Sequence, residues 1–272
     1  MTNFSRQRSN NSEPLGYRAQ SNGVVAGCDL LMAPEFDCGI AGAYTHTHVR
    51  NLSETPSGSH GGGHINTGYG SIYGRYSNCG IFIDGSLIGG WNRYHTTRPI
   101  YLTSSAGTIN RHAKATYQGS SWDCYLGAGG IFNLCALDIQ LGGSFDWVYL
   151  HHHGFTESKA QSVNLVVEKT TAHLLRSMGS IQVSYPLGCW VPQLGLAVAY
   201  DRRFGHGRYT AHFVDEPGDM IVSGLNPSQV LVLPEAKLVF EECGFSASLI
   251  YDGEFGKRYF SNDFSANLGW DF

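Results

Sequence analysis

Twelve histidines and seven cysteines are the residues of this 272-residue chain with the most chemistry to offer. His46 and His48 stand two apart, so on a β-strand they share a face and their imidazoles could chelate a transition metal. His60 and His64 lie in a Gly/Ser-rich stretch, and His151, His152 and His153 form a run. None of these sets has a carboxylate or cysteine partner at structural-metal spacing, so they read as polar residues of a wet rim. No metal or other cofactor is expected. The sequence also lacks a Gly-x-Ser-x-Gly nucleophile elbow, a P-loop and a zinc-protease helix, so no catalytic role is expected. The cysteines are Cys28, Cys38, Cys79, Cys124, Cys135, Cys189 and Cys243. Their odd number leaves at least one thiol for an intermolecular partner.

The elements that must hold these residues are strands. Glycine (35), tyrosine (15) and phenylalanine (14) are abundant, while charged residues make up 15%, against roughly 25% in an average soluble domain. Mean hydropathy is −0.18 and no run of about 20 apolar residues occurs, which excludes a helical membrane protein. The net charge of −4 carries no nucleic-acid footprint. In residues 259–272, Phe260, Phe264, Ala266, Leu268, Trp270 and Phe272 share one parity. Ser261, Asp263, Ser265, Asn267, Gly269 and Asp271 share the other. One face is therefore aromatic and apolar, the other small and polar. The same dyad recurs in residues 145–149, 194–201, 235–241 and 245–252.

Eleven strands follow from this pattern, over residues 17–31, 38–50, 65–77, 80–94, 112–132, 137–155, 162–185, 194–204, 230–241, 245–252 and 259–272. Their connections alternate. Those at 32–37, 78–79, 133–136, 186–192 and 243–244 are short, 51–64, 95–111 and 205–229 are long, and 156–161 and 253–258 are intermediate. Short turns on one side and long loops on the other are the topology of a transmembrane barrel, and a soluble sandwich has no reason to keep them apart. The expected fold is all-β, an antiparallel transmembrane β-barrel of the twelve-stranded type. Charges of lumen parity (Asp29, Arg75, Asp146, Arg176, Asp201, Glu235, Lys237, Glu241 and Asp263) are expected to pair across a wet interior.

Direction adds a consequence. An odd number of strands cannot close antiparallel, and residues 1–15 are polar without the dyad. They also lack the apolar core of a signal peptide. The sequence predicts a polar N-terminal tail over 1–15 and a barrel domain over 16–272. The barrel's first strand would be missing or displaced, as in an N-terminally truncated chain.

The chain resembles the β-barrel translocator domain of autotransporters. The resemblance is carried by Gly23-Val24-Val25-Ala26-Gly27-Cys28-Asp29, by Gly39-Ile40-Ala41-Gly42-Ala43-Tyr44, and by Tyr69-Gly70 with Tyr73-Gly74 and Tyr76. Residues 145–149 followed by Gly154-Phe155-Thr156-Glu157, and the terminal aromatic strand, complete it. The departures are the signal peptide, the passenger and the pore helix. The resemblance implies a function in type V secretion: a barrel in the bacterial outer membrane that anchors an N-terminal passenger and brings it to the cell surface. Outer-membrane lipid, the barrel assembly machinery and the passenger are the partners it implies. Phe272, Trp270, Leu268, Phe264 and Phe260 resemble the signal read by that machinery. Cys28, Cys38, Cys79, Cys135, Cys189 and Cys243 gather toward the short-turn rim, which faces an oxidising periplasm. Disulfides there, or with envelope partners, are expected, and the cysteine content is similar to that of the chlamydial-type polymorphic outer-membrane proteins. A stand-alone porin-like barrel and a soluble adhesive β-protein are the rival readings.

Overall fold

Strict alternation lets a sheet present one face to lipid and the other to water, and closing the sheet removes the edges that lipid could not solvate. The computed structural model describes residues 2–7, 16–54, 58–105, 107–204, 208–215, 218–223, 229–257 and 259–270. Its strands are β1 (Thr2–Gln7), β2 (Tyr17–Met32), β3 (Phe36–Glu54), β4 (His60–Asn78), β5 (Ile81–Ser104), β6 (Gly107–Leu134), β7 (Leu137–His152), β8 (Phe155–Thr156) and β9 (Leu165–Val167). They continue with β10 (Thr170–Ser184), β11 (Trp190–Phe204), β12 (Arg208–Phe213), β13 (Met220–Ser223), β14 (Gln229–Glu242), β15 (Phe245–Gly256) and β16 (Tyr259–Trp270). A closed antiparallel barrel runs in the order β1-β16-β15-β14-β11-β10-β7-β6-β5-β4-β3-β2, and a separate sheet runs β13-β12-β9-β8.

Four expectations are corrected here. The barrel's first strand is not missing: β1 lies between β16 and β2, with Ser5 opposite both Ser261 and Ala19. Residues 2–7 are therefore wall rather than tail. Side-chain periodicity could not reveal this, because closure depends on main-chain pairing. The long loop expected at 95–111 is mostly paired strand, since β5 and β6 continue to Ser104 opposite Gly107. Beyond the membrane both faces of a hairpin are wet, so the dyad fades while the ladder goes on. The strand expected over 162–185 starts only at Thr170, and Leu165–Val167 belongs to the small sheet. The loop expected at 205–229 carries β12 and β13.

The barrel is apolar outside and polar inside. Leu194 is 68% exposed, Leu249 62% and Leu268 67%, all facing outward. Ala199 and Leu231 are fully buried facing inward, beside buried Thr67, Asn92, Ser144, Asp201 and Ser261. Only a hydrocarbon surround makes such an exterior stable. No helix among the described residues is long and apolar enough to cross a membrane; the strands do the crossing. Trp190, Phe240, Phe245 and Trp270 form an outward aromatic ladder at the short-turn end, with centroid spacings of 4.9, 6.4 and 5.3 Å. Tyr44, Trp91, Trp122, Trp147 and Tyr200 face outward nearer the other end. These are the two girdles expected at the membrane boundaries.

The short turns have unusual chemistry. Cys79 (φ 50°) with Gly80 (φ 78°), and Cys243 (φ 49°) with Gly244 (φ 77°), combine two positive φ values, as a two-residue type I′ hairpin demands. Cys135, at φ 56°, is a third cysteine in the left-handed region. Asparagine or glycine would occupy these positions at lower cost.

Candidate functional site

The lumen and its outer mouth are where the polar side chains converge. All nine charges of lumen parity predicted from the sequence stand on inward positions of the register, as Asp146, Arg176 and Asp201 show by lying in one cross-strand row. The strongest grouping is on β10, β11 and β15. Arg176 donates from Nε to Asp201 Oδ1 at 2.7 Å, from Nη2 to Asp201 Oδ2 at 3.0 Å, and from Nη1 to Glu254 Oε1 at 2.7 Å. One guanidinium thus neutralises two carboxylates, which is how a buried charge is tolerated. On the facing wall, Tyr73 Oη donates to Asp29 Oδ1 at 2.8 Å, Thr67 Oγ1 to Asn92 Oδ1 at 2.8 Å, and Arg75 lies 4.4 Å from the Phe82 ring centroid. A lumen cavity of about 660 Å³ is lined by Ala43, Thr45, Thr67, Asn92, Ser121 and Asp123 among others.

The outer mouth carries a lid that the sequence did not reveal. Past β7 the chain stays on the β6 edge, His153 bonding Gln118 and Ser158 bridging Lys114, while residues 157–163 pack onto the inward side of the projecting β5–β6 hairpin. Arg98 of β5 donates to Glu157 from Nε at 3.0 Å and from Nη2 at 2.6 Å, and Nη2 also reaches the Val163 carbonyl at 3.0 Å. Glu157 Oε2 in turn accepts the Leu165 N–H at 2.9 Å. Arg111 Nη1 donates to the Ala160 carbonyl at 2.9 Å. Lys114 and Ser158 exchange main-chain bonds of 2.9 and 2.8 Å. Beneath these polar ties, Ala160 is buried with Ile100 and Ala113 and packs on Val163. Phe155 stacks on Tyr117 at 4.0 Å, and Tyr117 on Tyr94 at 4.8 Å. The small sheet extends this anchor, β9 pairing β12 through Val167 and Ala211. Between lid and wall lies a vestibule of about 920 Å³ lined by Asn51, Tyr94, Arg98, Tyr117, Glu157 and Tyr209 among others. Glu157 ends a motif already visible in the sequence, but Arg98 fell in an expected loop, and nothing in the spacing joins residues 59 apart.

The proposed assembly face is continuous. Phe260, Phe264, Leu268 and Trp270 fall on the outward parity of β16, with Phe264 58% and Trp270 59% exposed; Phe272 lies outside the described residues. β1 accompanies β16 only from Tyr259 to Phe264. Among the described residues, Ser265 to Trp270 therefore have β15 alone as a ladder partner.

The cysteines are not joined to one another. All seven are free thiols, and all but Cys38 are exposed. Cys79, Cys135 and Cys243 occupy three separate hairpin tips, and Cys189 lies in the turn closed by the Leu187–Trp190 bridge. Neighbouring tips are two strands apart, about 10 Å, whereas a disulfide needs Cα atoms within roughly 7 Å. Cys28 and Cys38 lie on the outward face instead, opposite Ile40 and Gly74. The hairpin-tip thiols are thus spaced too widely for the disulfides expected between them. The histidines do gather. His48, His64 and His95 form one cross-strand row, and the His64 and His95 rings stack at 4.5 Å. Among the described residues no group of three potential ligands is arranged to hold a metal ion.

Comparison with known proteins agrees with this architecture. The family model described as the autotransporter beta-domain matches residues 1–239. No match is found among characterised protein sequences. Among solved structures, the translocator domain of the autotransporter NalP from Neisseria meningitidis superposes with a TM-score of 0.78 at 12% identity, covering 100% of this chain and 85% of that one. The beta domain of the Bordetella autotransporter BrkA gives 0.61 at 17% identity, covering 100% and 97%. The transport unit of AIDA-I from Escherichia coli gives 0.61 at 11% identity, covering 100% and 88%.

Proposed function

The chain belongs to the autotransporter beta-domain family, and from that premise we propose how this outer-membrane translocator is assembled and linked to its surroundings. The protein is a bacterial outer-membrane barrel that anchors a passenger and exports it to the cell surface, a transport domain rather than a catalytic one. The finer reading concerns its partners. The outward row of Phe260, Phe264, Leu268 and Trp270, together with Phe272 two positions on in the sequence, is the signal recognised by the barrel assembly machinery. The observation that carries this is the continuous outward apolar face of β16, on which Phe264, Leu268 and Trp270 are 58%, 67% and 59% exposed.

The hairpin thiols Cys79, Cys135, Cys189 and Cys243 serve envelope partners rather than one another. Three of them sit at left-handed positions that favour other residues, a backbone cost retained without any bond inside the chain.

A tagged passenger fused ahead of the barrel tests the whole reading. Protease added to intact cells should remove the tag from the wild type. Trp270→Ser with Leu268→Ser should leave the barrel in the periplasm, unfolded by heat-modifiable migration. Normal insertion of that variant would refute the assembly role while leaving export intact.

A further inference from the structure

On four strands that run toward the outer rim, the outward face repeats one pattern: an aromatic residue and then, two positions on, a cationic or imidazole side chain. The pairs are Tyr44 with His46 on β3, Trp91 with Arg93 on β5, Tyr149 with His151 on β7, and Tyr200 with Arg202 on β11. Residues two apart share a face and lie about 7 Å apart along a strand. Tyr44, Trp91 and Tyr200 are 52%, 57% and 50% exposed. Each second residue therefore stands one step beyond the outer girdle, where headgroups begin.

Higher on the same wall, Arg50 lies opposite Gly62, and the row of His48, His64 and His95 crosses three strands. Among the described residues of the barrel wall, no carboxylate faces outward in this belt. The acids lie in the lumen instead, as Asp201 and Glu254 do around Arg176. The ring charges are also one-sided. The outward face near the short-turn girdle of Trp190, Phe240, Phe245 and Trp270 carries no lysine, arginine or histidine among the described residues.

We infer that this belt is a binding site for the phosphate groups of an anionic glycolipid in the outer leaflet. Arg93 and Arg202 supply the permanent charges, and a guanidinium can grip a phosphate through two parallel hydrogen bonds. His46, His151 and the His48–His64–His95 row add neutral donors, or further charge when protonated. The neighbouring aromatic rings seat against the acyl chains just below. The inference uses the outer-membrane location and is independent of the assembly and thiol proposals.

The test uses the full chain refolded into phosphatidylcholine vesicles, into the same vesicles containing bisphosphorylated lipid A, and into vesicles containing dephosphorylated lipid A. The readouts are the temperature at which heat-modifiable migration is lost and the lipid A retained per barrel after detergent washing. Phosphorylated lipid should raise the transition temperature in a salt-sensitive way, and the dephosphorylated lipid should not. Arg93→Gln with Arg202→Gln should lower retention about tenfold, the effect of losing two charge-assisted contacts; Arg93→Lys with Arg202→Lys should keep most of it. Equal stabilisation by the two lipid A forms in the wild type would overturn the proposal, whatever the variants do. Equal stabilisation by inorganic phosphate in plain vesicles would assign the belt to a soluble anion and overturn it too.

Discussion

Arg98 on β5 and Glu157 after β7 are joined by two parallel N–H···O bonds of 3.0 and 2.6 Å across the outer mouth. Glu157 also holds the Leu165 main chain, so this single carboxylate ties the wall to β9, an inner strand of the lid sheet. Arg98 is 38% exposed and Glu157 8%, so the pair is half-screened.

Arg98→Ala should release the lid at a cost of about 1–2 kcal/mol, a charged hydrogen-bond pair discounted for solvent. Barrel folding should persist, because the ladder below is untouched. Conductance in planar bilayers should rise, and the vestibule should open to added protease. Arg98→Lys should recover part of the closure, since an ammonium cannot make the bidentate contact. Unchanged conductance in Arg98→Ala would mean that the latch does not govern the mouth.

Arg176 is the lumen's counterpart. Removing it leaves Asp201 and Glu254 facing each other without their shared cation. Arg176→Leu should destabilise the barrel by about 3 kcal/mol, the lower end for breaking a buried pair. The loss would appear as a lower transition in heat-modifiable migration. Adding Asp201→Leu and Glu254→Gln together should restore much of it, because a buried ion group exchanged whole for uncharged side chains is often neutral. A triple variant as unstable as the single one would contradict this account.

Most of the wall was legible because lipid on one side and water on the other impose a strict period of two. That is why residues 259–272 and 194–204 announce themselves, and why all nine lumen charges fell on the predicted face. The information fades where the two solvents become one. Above the girdle, β5 and β6 run on to Ser104 and Gly107 with little alternation, so they looked like loop. β1 was missed for a different reason: its place is fixed by main-chain partners on β16 and β2, far away in sequence. The Arg98–Glu157 latch is equally non-local, since either residue alone is an ordinary polar side chain.

The hairpin cysteines give a prediction in which two measurements should move apart. Cys79→Asn and Cys243→Asn replace left-handed cysteines by a residue that tolerates φ near +50° better, and each should stabilise the barrel by about 0.5–1 kcal/mol. The same substitutions should remove disulfide-linked species from non-reducing gels of isolated envelopes. Stabilisation without any change in those species would leave the thiols without an envelope partner.

The seam offers the sharpest test of the closed wall. Ser5 stands opposite Ser261 on β16 and opposite Ala19 on β2. Directly opposed residues on antiparallel strands bring their Cα atoms to about 4.5–5.5 Å, within disulfide range. In a background with the native cysteines replaced, Ser5→Cys with Ser261→Cys should cross-link on mild oxidation after insertion. The bond would tie the first strand to the last and make the denatured chain migrate as a compact loop. Ser5→Cys with Ala19→Cys should cross-link equally well, whereas Ser5→Cys with Ser248→Cys, one strand further round and opposite Asn267 rather than Ser261, should not. If β1 were a tail outside the wall, its single cysteine would react with soluble maleimide and with neither partner.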